Sequence, residues 1–65
     1  MHWRIWFVMY KNGSKVGSGL WYKHYKYYGH AKRWASYRFG EPHIHKHTGD
    51  VYTYEWVVSK TNPWN

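Results

Sequence analysis

The chain has no cysteine, few acidic residues and no long apolar run. Without cysteine it can form neither a disulfide framework nor a thiolate metal site. The three acids, Glu41, Asp50 and Glu55, stand against ten Lys and Arg, which gives a net charge of +7. No stretch approaches the roughly 20 apolar residues that a membrane-spanning helix needs, and the first residues lack a signal-peptide pattern. We therefore expect a cytoplasmic protein without a membrane partner.

Aromatic residues are the abundant class, with six Trp, eight Tyr and two Phe among 65 residues. A chain of this length forms one domain, here residues 1–65 with a folded core at 1–60 and a C-terminal tail at 61–65. Such a domain buries only about 60% of its unfolded surface. Its core cannot enclose all of these rings, so several must lie on the surface, where exposed aromatic side chains often mark an interface.

The residues from His2 to Tyr10 are mostly β-branched or aromatic, which predicts a strand. Alternation places Trp3, Ile5, Phe7 and Met9 on one face, and Arg4, Trp6, Val8 and Tyr10 on the other. Both faces are largely apolar, so we expect this strand to be central in the sheet.

Three glycines and the Asn12-Gly13 dipeptide predict a turn or loop over residues 11–19. The second strand is then expected from Leu20 to about Tyr27, at an edge of the sheet because Lys23 interrupts its apolar face.

A helix is predicted between Gly29 and Gly40, where Ala31, Trp34, Ala35 and Arg38 recur at i, i+3, i+4 and i+7, as on one helical face. In this prediction Trp34 anchors the helix in the core, and the outer face carries Lys32, Arg33 and Ser36.

A second hairpin follows, with strands in the His43–His47 segment and from Val51 to Ser59. The predicted fold is a small α+β domain of order β-β-α-β-β, an antiparallel sheet of three to four strands with one short helix packed on one face. The first and last strands are expected to be neighbours, since they are the most apolar.

Aromatic or basic residues occupy most positions from Leu20 to Gly40, and this segment has no carboxylate. Cations neutralise phosphates and rings stack on bases, so we expect a small binding module, not an enzyme, that contacts DNA or RNA. The candidate nucleic-acid or partner-binding residues are Lys11, Lys15, Tyr22, Lys23, Tyr25, Lys26, Tyr27, Lys32, Arg33 and Arg38.

The same composition suits a second class of function. Exposed Trp and Tyr act as hot spots in protein interfaces, so the alternative is a compact inhibitor or adaptor, of the kind that viruses and mobile elements use against bacterial defence nucleases, which binds an acidic protein or a nucleoprotein. A third reading is a homodimer that pairs through the uncovered sheet face.

Other chemistry has less support in the sequence. His43, His45 and His47 alternate, so on a strand they would share one face and make weak candidates for metal ligands. A purpose-built site would need further ligands, so we expect no metal and no cofactor. The four serines lie in no nucleophile motif, and no catalytic residue is assigned.

Overall fold

The computed structural model describes residues 2–64; Met1 and Asn65, which the predicted domain and tail include, lie outside the described residues. The chain forms four strands and one helix in the order β-β-α-β-β, a small α+β fold as predicted. The elements are β1 (Trp3–Lys11), β2 (Ser14–Tyr25), α1 (Tyr28–Phe39), β3 (His43–Ile44) and β4 (Val51–Ser59).

The strands make one curled antiparallel sheet in the order β2-β1-β4-β3. β1 is central and pairs with both β2 and β4, which confirms the expected contact between the first and last strands. β2 lies at an edge, also as predicted. On the face of β1 that the helix does not cover, Val8 is still buried at 8% exposure, since strands flank β1 on both sides.

The core lies between α1 and one face of the sheet. Ile5 is fully buried there with Ala31, Ala35 and Phe39. The partly buried residues around this cluster come from all three long strands: Trp3, Phe7, Trp21, Tyr25, Tyr54, Trp56 and Val58. The face predicted for β1 is therefore confirmed for Trp3, Ile5 and Phe7, which pack together against the helix.

The predicted loop over residues 11–19 is wrong beyond its first turn. Asn12 and Gly13 both have positive φ, 50° and 86°, and connect Lys11 directly to Ser14 as a two-residue hairpin turn. β2 therefore begins at Ser14, six residues earlier than expected, and ends at Tyr25. The tight turn starts the pairing, and the ladder with β1 then carries the Gly- and Ser-rich segment into the sheet, with register shifts between Met9 and Tyr10 and between Arg4 and Trp6.

Gly19 is required where it stands, opposite Phe7 in the β1–β2 ladder. A Cβ at this position would lie 2.7 Å from the tip of the Phe7 ring. The ring also stacks on Phe39, with centroids 4.9 Å apart. Phe7 therefore fills the space that a side chain at residue 19 would occupy.

The helix was predicted at nearly its true position but with the wrong anchor. It begins at Tyr28 and ends at Phe39, and the Gly40 N–H donates to the Ser36 carbonyl at 3.0 Å. The inner face consists of Ala31, Ala35 and Phe39, whereas Trp34 is 49% exposed. Two alanines let the helix approach the sheet closely, and Phe39, one turn further on, supplies the large ring that Trp34 was expected to supply.

The second hairpin is much less regular than predicted. β3 contains only His43 and Ile44, which pair with Tyr52 and Val51. The chain then turns, and its backbone closes on itself: the His45 N–H donates to the Asp50 carbonyl at 2.9 Å, and the Gly49 N–H donates to the His45 carbonyl at 2.8 Å. β4 runs from Val51 to Ser59, as predicted.

The described part of the chain is elongated, with extents of 39 × 24 × 15 Å and a radius of gyration of 12.6 Å. A compact chain of this length would have a radius of gyration of about 11 Å. The difference arises because α1 covers only one end of the sheet, while the turn of the β1–β2 hairpin extends away from it.

Candidate nucleic-acid interface

The outer side of α1 carries two large exposed rings. Trp34 is 49% exposed and Tyr37 is 80% exposed. Their centroids lie 5.9 Å apart in an edge-to-face arrangement. With Arg33 they line a shallow cavity of about 380 Å³. The helix therefore presents apolar rings and a guanidinium together on its solvent side.

Lys23 joins this helix face to the edge strand. Its ammonium nitrogen lies 5.8 Å from the centroid of Trp34 and 5.7 Å from that of Tyr22. Cations within about 6 Å of a ring centroid are attracted to the ring. The lysine charge thus sits between a ring of β2 and a ring of α1, and it links the two elements into one surface.

The junction between β2 and α1 repeats the pattern. Tyr27 is 58% exposed, and the Lys26 ammonium nitrogen lies 5.7 Å from its centroid. His30 meets the edge of the same ring at 5.5 Å. We call the whole set the basic–aromatic surface; its members are Tyr22, Lys23, Lys26, Tyr27, Arg33, Trp34, Tyr37 and Arg38.

Arg38 is the most firmly placed cation of this surface. Its guanidinium carbon lies 5.7 Å from the Trp21 centroid and 5.5 Å from that of Phe39. Its Nη1 lies 3.4 Å from Nε2 of His43. Arg38 and Arg33 border an open cavity of about 750 Å³ between the end of the helix and the start of β3. Glu41 is the one carboxylate among the residues that line it.

Carboxylates are otherwise engaged at the far end of the sheet. Within residues 2–64, the one ion pair joins Lys11 and Asp50 at 3.6 Å. Glu55 accepts a hydrogen bond from the Tyr10 hydroxyl, and this bond raises the pKa of Tyr10 above its ordinary value. The hydrogen bond from Asn12 holds the pKa of Asp50 below its ordinary value, with smaller contributions from Thr48 and Lys11. The cations of the basic–aromatic surface have no such partner among the described residues.

The structure brings together most, but not all, of the predicted binding residues. Lys11 and Lys15 lie at the hairpin turn; Lys15 is eight residues from Lys23 along β2, or about 25 Å at the usual strand rise. Tyr25 is half-buried against the core, and its hydroxyl oxygen accepts a hydrogen bond from Nε1 of Trp21 at 3.2 Å. These three residues are therefore not part of the basic–aromatic surface. Lys32 is also outside it, because it lies two positions before Trp34 on α1 and such residues do not face each other.

Sequence reasoning missed the two central rings of this surface. Trp34 was assigned to the core, and Tyr37 was not among the candidate residues. The spacing of Ala31, Ala35 and Phe39 at i, i+4 and i+8 contains the missing signal, because it defines a helical face without Trp34.

The histidine segment does not form the strand face that its alternation predicts. His43 lies in β3 and contacts the edge of Tyr54 at 6.0 Å, whereas His45 and His47 belong to the turn, with ring centroids 5.8 Å apart. No group of three His, Cys, Asp or Glu side chains within residues 2–64 is arranged to hold a metal ion.

Comparisons with known proteins give no family. No protein-family model, curated protein or solved structure matches the chain. In the described range, no helix is long and apolar enough to cross a bilayer.

Proposed function

We propose that the protein binds single-stranded nucleic acid through the basic–aromatic surface. The observation that carries this proposal is the placement of Lys23 between the rings of Tyr22 and Trp34, on a surface whose cations form no ion pair within residues 2–64. Proteins that bind single strands without sequence preference combine a basic path for the phosphates with rings on which bases stack. This surface offers both at one place.

The exposure of the rings favours a single strand over a duplex. Tyr22 and Tyr37 are 71% and 80% exposed, so at least one side of each ring is open to a base. Bases in a duplex are already stacked on each other, whereas unpaired bases are free to stack on a protein ring. Each such contact contributes about 1 to 3 kcal/mol.

Binding of a labelled single strand, followed by fluorescence anisotropy, tests the proposal. The surface has four Lys and Arg side chains, namely Lys23, Lys26, Arg33 and Arg38. If each contacts one phosphate, a fourfold rise in salt from about 50 to about 200 mM lowers the affinity roughly 50-fold. DNA and RNA strands and their duplexes are compared under the same conditions.

Two matched pairs of variants locate the binding surface. Arg33→Gln and Lys15→Gln each remove one exposed charge, but only Arg33 belongs to the basic–aromatic surface. Trp34→Ala and Trp64→Ala each remove a partly exposed tryptophan, 49% and 43% exposed respectively. We expect Arg33→Gln and Trp34→Ala to weaken binding, and their partners to leave it nearly unchanged. Equal effects within each pair, or no binding at low salt, would exclude this surface as a nucleic-acid site.

A protein partner is the second candidate, and the cavity lined by Arg33, Trp34 and Tyr37 is the observation that favours it. Trp, Tyr and Arg are the residues most enriched among hot spots of protein interfaces. An inhibitor or adaptor that uses this cavity would bind mainly by burying rings, so its affinity would change little with salt. The salt dependence therefore separates the two candidates.

A further inference from the structure

A second group of basic side chains lies at the end of the sheet where β1 begins. His2, Arg4, His24 and Lys60 line a cavity of about 320 Å³. In the strand alternation, Arg4 and His24 belong to the sheet face opposite α1. None of the four residues is a member of the basic–aromatic surface.

The sheet pairing assembles this cluster from distant parts of the chain. Arg4 lies opposite His24 in the β1–β2 ladder and opposite Ser59 in the β1–β4 ladder. Lys60 follows Ser59 directly, and His2 precedes the first residue of β1. The imidazoles of His2 and His24 are in contact, with centroids 4.5 Å apart. The four groups are therefore neighbours because of strand register, not because of sequence proximity.

Arg4 is held in place but its charge is not compensated. Its side chain is half-buried, and Nη2 donates to the Trp21 carbonyl at 3.4 Å. Its Nε–H is buried and finds no acceptor among the described residues. A buried or half-buried cation without an anionic partner is costly, and an anion placed beside it would lower that cost.

The charges that face the cavity are all basic. Arg4 lies in β1, and His24 is the second-last residue of β2. His2 is the residue before β1, and Lys60 is the residue after β4. The Lys60 ammonium nitrogen lies 4.8 Å from the centroid of Trp3, a ring of the helix-covered face, so Lys60 lies at the end of the sheet where the two faces meet. No carboxylate is among the lining residues. Asp50 and Glu55 have partners elsewhere, and Glu41 lines the cavity at the end of the helix.

We propose that this cavity is a binding site for a phosphate-type dianion, which Arg4 and Lys60 attract and which His2 and His24 contact when protonated. Two imidazoles in contact repel each other when both carry a proton, and a dianion beside them offsets that repulsion. Acidification favours the protonated imidazole, so the affinity for the anion rises as the pH falls.

The site does not rest on the proposed nucleic-acid binding, since it uses other residues. Binding of an anion at this site should saturate and should affect only His2 and His24. General attraction of anions to a protein of charge +7 would instead affect every exposed histidine.

Titration with sulfate, observed by NMR of the histidine ring signals, tests this proposal. Sulfate remains doubly charged through the range used, so a change of affinity with pH reports on the protein. We expect the signals of His2 and His24 to shift together along one saturation curve, with an affinity roughly tenfold higher at about pH 6 than at about pH 8. The signals of His45 and His47 should stay in place. Uniform shifts of all histidines, or shifts that do not saturate, would overturn the site.

Matched substitutions give the second test. Loss of one charge-assisted contact should weaken sulfate binding roughly tenfold at about pH 6 in His24→Gln and in Lys60→Gln. The controls His47→Gln and Lys46→Gln make the same chemical changes in the exposed turn before β4. All four positions are exposed, so none of the variants should unfold the domain. Equal weakening by the controls would show that net charge, not the cavity, attracts the anion.

Inorganic phosphate and a short oligonucleotide with or without a 5′-phosphate identify the source of the dianion. If the site takes a free anion, phosphate binds and the two oligonucleotides shift His2 and His24 equally little. If it takes the end of a strand, the 5′-phosphorylated oligonucleotide shifts these signals and the unphosphorylated one does not. Arg33→Gln tests the basic–aromatic surface separately, so failure of one proposal is distinguishable from failure of the other. Absence of a response to phosphate and to both oligonucleotides would contradict the proposal.

Discussion

The two ends of the sheet are held together by different interactions. At the covered end, α1 packs Ala31, Ala35 and Phe39 against rings of β1, β2 and β4. At the turn end, beyond the helix, the contacts are polar: Asn12 bonds to Asp50 and Val51, Lys11 pairs with Asp50, and Tyr10 bonds to Glu55. Apolar burial stabilises one end, and hydrogen bonds with modest net value stabilise the other.

This difference explains why the cations at the covered end are available to bind a partner. Two of the three carboxylates are used at the turn end, to fix a part of the sheet that no helix covers. The covered end does not need them, because packing holds it. Its cations and surplus rings therefore remain free for other contacts, and both proposed binding sites lie at that end.

The largest expected effect is at the centre of the covered end. Phe39 is 4% exposed and meets Phe7, Trp21 and Tyr54 at centroid distances of 4.9, 5.5 and 5.2 Å. Phe39→Ala should reduce the free energy of unfolding by about 3 to 5 kcal/mol, enough to unfold much of a domain of this size. Urea denaturation followed by circular dichroism measures the change, with Phe39→Leu as a variant that retains structure.

Tyr37→Ala is the matched control on the same helix. Its ring is 80% exposed, so the change should stay within about 0.5 kcal/mol. If Tyr37→Ala and Phe39→Ala were equally destabilising, the assignment of inner and outer helix faces would be wrong.

A smaller effect is expected from Gly19→Ala. The new methyl group would meet the Phe7 ring at 2.7 Å, and Phe39 on the other side limits how far that ring can move. We expect a loss of about 1 to 3 kcal/mol in the free energy of unfolding. Gly17→Ala lies on the same strand with nothing within 4 Å of its Cβ, and it should be close to neutral. A neutral Gly19→Ala would show that the ring is not confined.

At the turn end, Asn12→Ala should reduce the free energy of unfolding by about 1 to 2 kcal/mol. The alanine would have to adopt φ 50°, which is unfavourable for a residue that is neither glycine nor asparagine. It would also lack the amide group that donates a hydrogen bond to the Asp50 carboxylate and accepts one from the Val51 N–H, both at 2.9 Å. Asn12→Gly keeps the turn conformation and removes only the hydrogen bonds, so its loss should be smaller. The same loss in both variants would assign the whole effect to those bonds.

The smallest expected effect is a pH dependence of the stabilisation that Asp50 gives to the turn end. The pKa of Asp50 is lowered in the folded state, so its stabilisation is present above the ordinary aspartate pKa and is lost as the pH falls through the lowered value. The difference in urea midpoint between the wild type and Asp50→Asn should therefore shrink below about pH 4. Glu41→Gln, which removes a carboxylate without an ion pair in the described range, is the control. A difference that does not change with pH would mean that the ionised form of Asp50 contributes nothing to stability.

The sequence predicts those parts of the fold in which local pattern and packing agree. β1 and β4 combine β-branched and aromatic residues with clear alternation, and their boundaries and contact follow from it. The segment from Ser14 to Gly19 has low strand propensity, and only the Asn12-Gly13 turn brings it into the ladder. The predicted helix face is wrong at Trp34, which lies between two alanines in the sequence. The small alanines allow the helix to approach the sheet closely, and Phe39 supplies the large ring of that face.

The candidate sites differ in the same way. The basic–aromatic surface comes mostly from one continuous segment, so composition is enough to find much of it. The cavity of His2, Arg4, His24 and Lys60 depends on ladder register between residues up to 58 positions apart. No local pattern contains that information.

The two-residue turn at Asn12 and Gly13 also has a consequence for the order of folding events. It lets β1 and β2 pair with almost no loop-closure cost, and isolated hairpins form within about 1 to 10 μs. β4 must reach β1 across most of the chain before α1 has a complete surface on which to pack. We therefore expect the β1–β2 hairpin to form early and the arrival of β4 to limit the folding rate.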